Sequence, residues 1–199
     1  MQDYLSWGSN NNVKYYYAEL YPNWGEGPKA WLLTKLLWDP NQNVDALLDQ
    51  WYTHTAGTAA APKLREFYSI WEKFWTKDVY SSKWNNSKGQ YLPFNNLTYM
   101  NAVPADYIAK SDALMNQAYA LADSPQRKIR VARLREMWQI YKLAAQLCSN
   151  SNTLLSARSA ILRSAEFNNR LAKFESDSLY SLAVKSIRNS FSFNSQLSK

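Results

Sequence analysis

The sequence predicts an all-α fold, a bundle-like domain of about six helices with one short extended segment near its N-terminus. Three observations lead there. Apolar residues recur at helical spacing over most of Pro28 to Tyr80 and Pro104 to Asn189. A single strand-like run is present, Val13 to Tyr21, and an isolated strand is unstable in water. Several segment boundaries, such as Asn43 and Ser124-Pro125, carry helix-cap chemistry. The implied organisation is an extended segment and aromatic turn over residues 1–27, a helical domain over 28–189 and a Ser-rich tail over 190–199.

Taken in order, Asp3 to Trp7 reads as a last helical turn closed by Gly8, followed by the polar loop SNNN. In the run that follows, alternation puts Val13, Tyr15, Tyr17, Glu19 and Tyr21 on one face and Lys14, Tyr16, Ala18 and Leu20 on the other. Tyr15 to Glu19 is expected to be extended but poorly paired. Pro22-Asn23-Trp24-Gly25-Glu26-Gly27-Pro28 then turns sharply, because two glycines admit positive φ and two prolines fix their own. Pro28 suits the first position of a helix carrying Trp31, Leu32, Leu33, Leu36, Leu37 and Trp38. Asp39-Pro40-Asn41 ends it, Asn43 caps a second helix that Gly57 closes, and a third starts near Ala59 to Pro62 and continues to about Tyr80.

From Ser81 to Val103 the periodicity vanishes, and a loop of that length is either functional or pinned by its aromatics, here Trp84, Tyr91, Phe94 and Tyr99. Pro104 opens a fourth helix, Pro125 to about Cys148 forms a fifth, and a sixth helical segment runs from Leu154 to Ile187 after the break at Ser149 to Asn152.

Composition limits the chemistry. A length of 199 residues allows one domain with a real core, and 46% hydrophobic residues with nine Trp and fourteen Tyr make that core aromatic. A single cysteine, Cys148, excludes an intrachain disulfide and a multi-Cys metal site. His54, the single histidine, has no acidic neighbour in sequence to build a Ser-His-Asp arrangement. P-loop, GxGxxG, HExxH and nucleophile-elbow motifs are missing, so no cofactor or metal is expected. No apolar run is long enough to span a membrane, and MQDYLSW lacks the pattern of a signal peptide, which leaves localisation open. The net charge is +7, and its densest stretch is Arg127 to Arg135. On a helical wheel those charges spread around the apolar stripe, which favours a solvated helix face over nucleic-acid binding.

The candidate site is the strand-turn segment, with Glu19 as a catalytic carboxylate and Tyr17, Trp24 and Glu26 as binding residues. Aromatic faces stack on pyranose rings, while carboxylates bind hydroxyls or move protons, so these residue types make one wall of a saccharide site. Among tyrosines and without a cation, a buried Glu19 would have a raised pKa suited to proton donation. The plainer alternatives stand beside this: a tyrosine-rich run is simply a good strand, and Glu26 is a favourable helix-start charge.

The chain resembles a glycoside-hydrolase-like family of unknown function, number 4838. The resemblance rests on Tyr17-Ala18-Glu19, Pro22 to Lys29, Lys35-Leu36-Leu37-Trp38-Asp39-Pro40, Val44-Asp45-Ala46-Leu47-Leu48 and Ala60-Ala61-Pro62, continues loosely to about Tyr141, and stops before the tail after Asn150. That family is similar to alpha-glucuronidases, in which a (β/α)8 barrel precedes a helical C-terminal region. The resemblance therefore implies that Val13 to Glu19 is a late barrel strand with Glu19 near its C-terminal end, where such barrels place their sites. It further implies an upstream barrel domain as partner, a saccharide ligand, an inactive isolated chain and a parent for which secretion is open. The alternative is a free-standing helical interaction or structural module without catalytic activity.

Overall fold

The computed structural model describes residues 1–18, 27–86, 97–150 and 154–175, and every regular element within them is helical. The α-helices are α1 (Gln2–Asn10), α2 (Lys29–Trp38), α3 (Val44–Ala56), α4 (Ala61–Thr76), α5 (Lys83–Asn86), α6 (Ala105–Leu121), α7 (Pro125–Ser149), α8 (Leu154–Arg163) and α9 (Ala165–Glu175). Two 3-10 segments, Asp78–Ser81 and Leu97–Ala102, flank α5. The all-α class is as expected. Residues 13–18 are neither helical nor paired as a strand, in keeping with the expected lack of pairing over Tyr15 to Ala18, while Glu19 lies outside the described residues. The expected turn from Pro22 to Glu26, the helical continuation to Ile187 and the tail over 190–199 lie outside the described residues.

Local chemistry explains where the boundaries differ from expectation. α1 does not stop at Gly8 but passes through it to Asn10. Its stop is Asn12, whose φ of 60° is left-handed; Asn12 N–H donates to Ser9 O and Val13 N–H to Gly8 O at 3.0 Å, the paired closure of a Schellman motif. Asn takes that position because it tolerates positive φ better than other non-glycine residues. At the other end, Pro28 is the N-cap of α2 and not its first residue.

α3 begins as expected, with Asn43 Oδ1 accepting from Ala46 N–H at 2.9 Å, and α4 ends at Thr76 before a 3-10 turn instead of running on to Tyr80. The supposed loop from Ser81 holds the short α5, started by Ser82 Oγ accepting from Asn85 N–H at 3.1 Å. Its aromatic Trp84 is 2% exposed, so that stretch is pinned by packing. The expected single helix after Leu154 is two helices, because Ser164 Oγ accepts from Phe167 N–H at 3.2 Å and starts α9 afresh.

Two apolar clusters form the main core. One gathers Leu64, Phe67 and Ile70 of α4 with Leu114 and Met115 of α6 and Trp138 of α7. The other gathers Phe74 of α4, Met100 of the second 3-10 segment, Met137 and Ile140 of α7, Ile161 of α8 and Phe167 of α9. Trp71, Tyr107, Ile108 and Tyr141 pack against both. A smaller cluster of Leu5, Leu33, Leu36 and Leu47 seats α1 and α2 on α3. The aromatics predicted from composition do fill this interior: Phe67 meets Trp138 edge-on at 5.5 Å, and Trp75 lies 4.7 Å from Tyr99.

Candidate functional site

Of the four expected site residues, Tyr17 lies among the described residues and Glu19, Trp24 and Glu26 lie outside them. Tyr17 is 87% exposed and Tyr15 is 93% exposed, while Tyr16 on the other side packs edge-on against Tyr4 with centroids 6.4 Å apart. Val13, Tyr15 and Tyr17, which alternation places on one face, are all exposed.

The turn re-enters the described structure at Gly27, with φ +59°. A Cβ there would lie 2.5 Å from Tyr68 Cε1, so the backbone rests directly on the Tyr68 ring of α4. Glycine is required both by the left-handed backbone and by this approach. The sequence showed the turn but not the ring it lies on. Gly27 thus fixes one end of the candidate segment to the helical body.

Beside this contact is a cavity of about 710 Å³. Pro28, Lys29 and Leu32 line one side, Tyr52 of α3 and Tyr68, Trp71, Glu72 and Trp75 of α4 line another, and Met115, Leu134, Trp138 and Tyr141 complete it. Helical spacing explains the α4 wall: residues 68, 71, 72 and 75 recur three or four apart and share a face. Burial pushes the Tyr52 hydroxyl up to about 12 against the opposing pull of Arg65, and burial with Tyr52 and Tyr141 nearby raises Tyr68 further. Both therefore remain protonated at neutral pH and able to donate hydrogen bonds. Trp71 Nε1 is buried without a hydrogen-bond partner among the described residues, whereas Trp138 Nε1 donates to Asp112 at 3.1 Å.

The remaining charges are mostly committed to structure. Arg65 bridges α4 to Asp45 and Asp49 of α3, and Lys110 of α6 reaches Glu66 of α4 at 2.9 Å, pairings that sequence spacing could not reveal. Lys73 binds Asp78 and Tyr107, and Tyr107 donates to Asp78 at 2.8 Å. In the basic stretch, Arg127 pairs with Asp123, Arg130 donates to His54 O and Arg135 stacks on Tyr119 at 4.6 Å. These three reach three different targets, in keeping with a solvated helix face. His54 takes part through its carbonyl. Cys148 is buried, and burial pushes its thiol up to about 12, which makes it a poor nucleophile. No group of three or more His, Cys, Asp or Glu suited to a metal occurs among the described residues, and no described helix is long and apolar enough to cross a membrane.

Residues 1–69 match the family described as Domain of unknown function (DUF4838). Neither a curated protein nor a solved structure matches the chain.

Proposed function

We propose that this chain is the C-terminal, mainly helical part of a carbohydrate-active, glycoside-hydrolase-like protein, with Tyr17, Glu19, Trp24 and Glu26 at the edge of a saccharide site. The observation that carries this reading is the seat of Gly27 on Tyr68, which anchors the turn bearing Trp24 and Glu26 to a rigid helix. The match over residues 1–69 supports it, since it covers the same strand-turn segment. In such a site Trp24 would stack on a sugar face, Glu26 would bind hydroxyls, and Glu19 would hold or donate a proton at a glycosidic oxygen. A barrel preceding the segment would supply the partner strands and a second carboxylate, whose separation from Glu19 would decide between retention and inversion.

The test compares Glu19→Gln and Trp24→Ala with the unmodified sequence, reading saccharide affinity in this chain and both affinity and turnover in a longer barrel-containing protein. Saccharide affinity and turnover are expected to fall sharply while the melting temperature stays within about 2 °C, as for surface changes of about 0.5 kcal/mol or less. Unchanged affinity together with lowered melting temperature would sink the assignment of Glu19 to the site.

A second reading is favoured by a different observation. Tyr4, Trp7, Tyr15, Tyr17 and Trp38 are all largely exposed near the N-terminal end of the chain. Exposed aromatics in such number suit a protein-binding module. Light scattering separates the two readings: a concentration-dependent dimer or larger species favours the module, and a monomer at all concentrations opposes it.

A further inference from the structure

The cavity bounded by α2, α3, α4, α6 and α7 has a use that does not depend on the saccharide reading. Its volume of about 710 Å³ lies in the range of small-molecule sites. Leu32, Val44, Leu48 and Leu134 are half-buried on its lining and so leave aliphatic surface that a ligand can cover. A sugar hydroxyl held against them would lose water without regaining a hydrogen bond. Tyr68, Trp75 and Tyr141, also half-buried, add aromatic surface.

The charged side chains on the lining are Lys29 and Glu72. Lys29, at the start of α2, and the Met1 amine bring positive charge to one side. Glu72 lies on the α4 side, where helical spacing sets it next to Tyr68 four residues before and Trp75 three after. Its side chain is exposed, which puts it at the mouth of the cavity. The carboxylate forms no ion pair among the described residues, unlike that of Glu66, which meets Lys110 at 2.9 Å. After burial, and against Arg65, the Glu72 charge helps to raise the Tyr52 hydroxyl, so the carboxylate stands close to the aromatic wall. A carboxylate without a counter-charge beside aromatic rings suits an organic cation, which gains an ion pair and the attraction of the ring faces together.

We propose that this cavity binds an amphiphilic amine, its ammonium against the Glu72 carboxylate beside Tyr68 and Trp75 and its hydrocarbon chain along Leu48 and Leu134. The positive charge of Lys29 and Met1 keeps that ammonium on the α4 side. The probes are octylammonium, octanol and octanoate, which share a chain length and differ in the charge of the head, titrated by calorimetry into the intact chain at neutral pH. Octylammonium should bind roughly 3- to 30-fold more tightly than octanol, the combined range of an exposed ion pair and an exposed cation–π contact, and octanoate should bind most weakly. Octylammonium and octanol should both move the methyl resonances of Leu48 and Leu134. Glu72→Lys, at an exposed helix position, should reverse the order of the two charged probes and leave octanol in place.

Saturable binding of no probe, octanol or octanoate bound as tightly as octylammonium, or an order that survives Glu72→Lys would each overturn the proposal. Should circular dichroism show Glu72→Lys unfolded, Glu72→Gln takes its place. The lead of octylammonium over octanoate should then shrink by roughly 2- to 30-fold, and an unchanged lead would overturn the assignment. Unmoved Leu48 and Leu134 methyls would place the hydrocarbon chain elsewhere and overturn it too. Displacement of octylammonium by methyl glucopyranoside would also overturn it, by giving the cavity to a sugar and so strengthening the saccharide reading.

Discussion

At Gly27 a side chain would meet two obstacles, a φ of +59° and the Tyr68 ring 2.5 Å from the Cβ position. Gly27→Ala should therefore cost about 2 to 5 kcal/mol, combining left-handed strain of roughly 1 to 2 with overpacking of roughly 1 to 3. Urea unfolding measures it, and in a Tyr68→Ala background the cost should shrink to the strain alone. Asp112 gives a pH prediction. Burial acts to raise its pKa, but hydrogen bonds from Lys142 at 2.7 Å, Gln139 and Trp138 together outweigh that and hold the carboxyl below its usual value. A depressed folded pKa means stability that is complete above the unfolded value near 3.9 and is lost as pH falls through the folded one. Glu66, held down first by its hydrogen bond from Lys110, and Asp78, held down first by that from Lys73, shift in the same direction. Unfolding midpoints should thus drop below about pH 4, and Asp112→Asn should flatten that drop while lowering stability at neutral pH. The glycine's conformational role was legible in the sequence; the partners of Asp112 were not, since they sit on another helix and no local spacing joins them.

Among the elements, the caps are the most testable. Ser124 Oγ accepts from Arg127 N–H at 3.3 Å at the head of α7, and Asn43 does the same for α3. Ser124→Ala and Asn43→Ala should each cost about 1 kcal/mol of unfolding free energy, measured by denaturant titration. Both caps were legible because a Ser or Asn directly precedes a periodic apolar run. Ser164 was not, because the apolar spacing from Leu155 through Ile161 to Leu171 continues across it and hides a break that is set by one hydroxyl. The short helix at Lys83–Asn86 was hidden for a related reason: four residues are too few for a period to show. In the candidate segment, the sequence supplied residue types and a turn. The cavity walls come from α2, α3, α4, α6 and α7, brought together by tertiary packing that carries no motif.

For the whole molecule, the family match and the folding unit have different limits. The match ends at residue 69, inside α4, while that helix continues to Thr76. Leu64 and Phe67 are buried against Leu114, Met115, Ala118 and Trp138, all beyond the match. A fragment of residues 1–69 should accordingly fail to fold, showing weak helical circular dichroism and rapid proteolysis, whereas residues 1–175 should resist both. A stably folded 1–69 fragment would contradict the packing described above. The class of the fold was legible at this scale because helical periodicity covers most of the chain; the division of the core was not, since it depends on neighbouring α7 side chains, Met137 and Trp138, entering different clusters. That parting of two adjacent residues has a consequence for exchange with solvent. With one helix embedded in both clusters, neither can open while the other stays intact, so the backbone amides from Val131 to Cys148 should exchange through global unfolding and report a single free energy along that whole length.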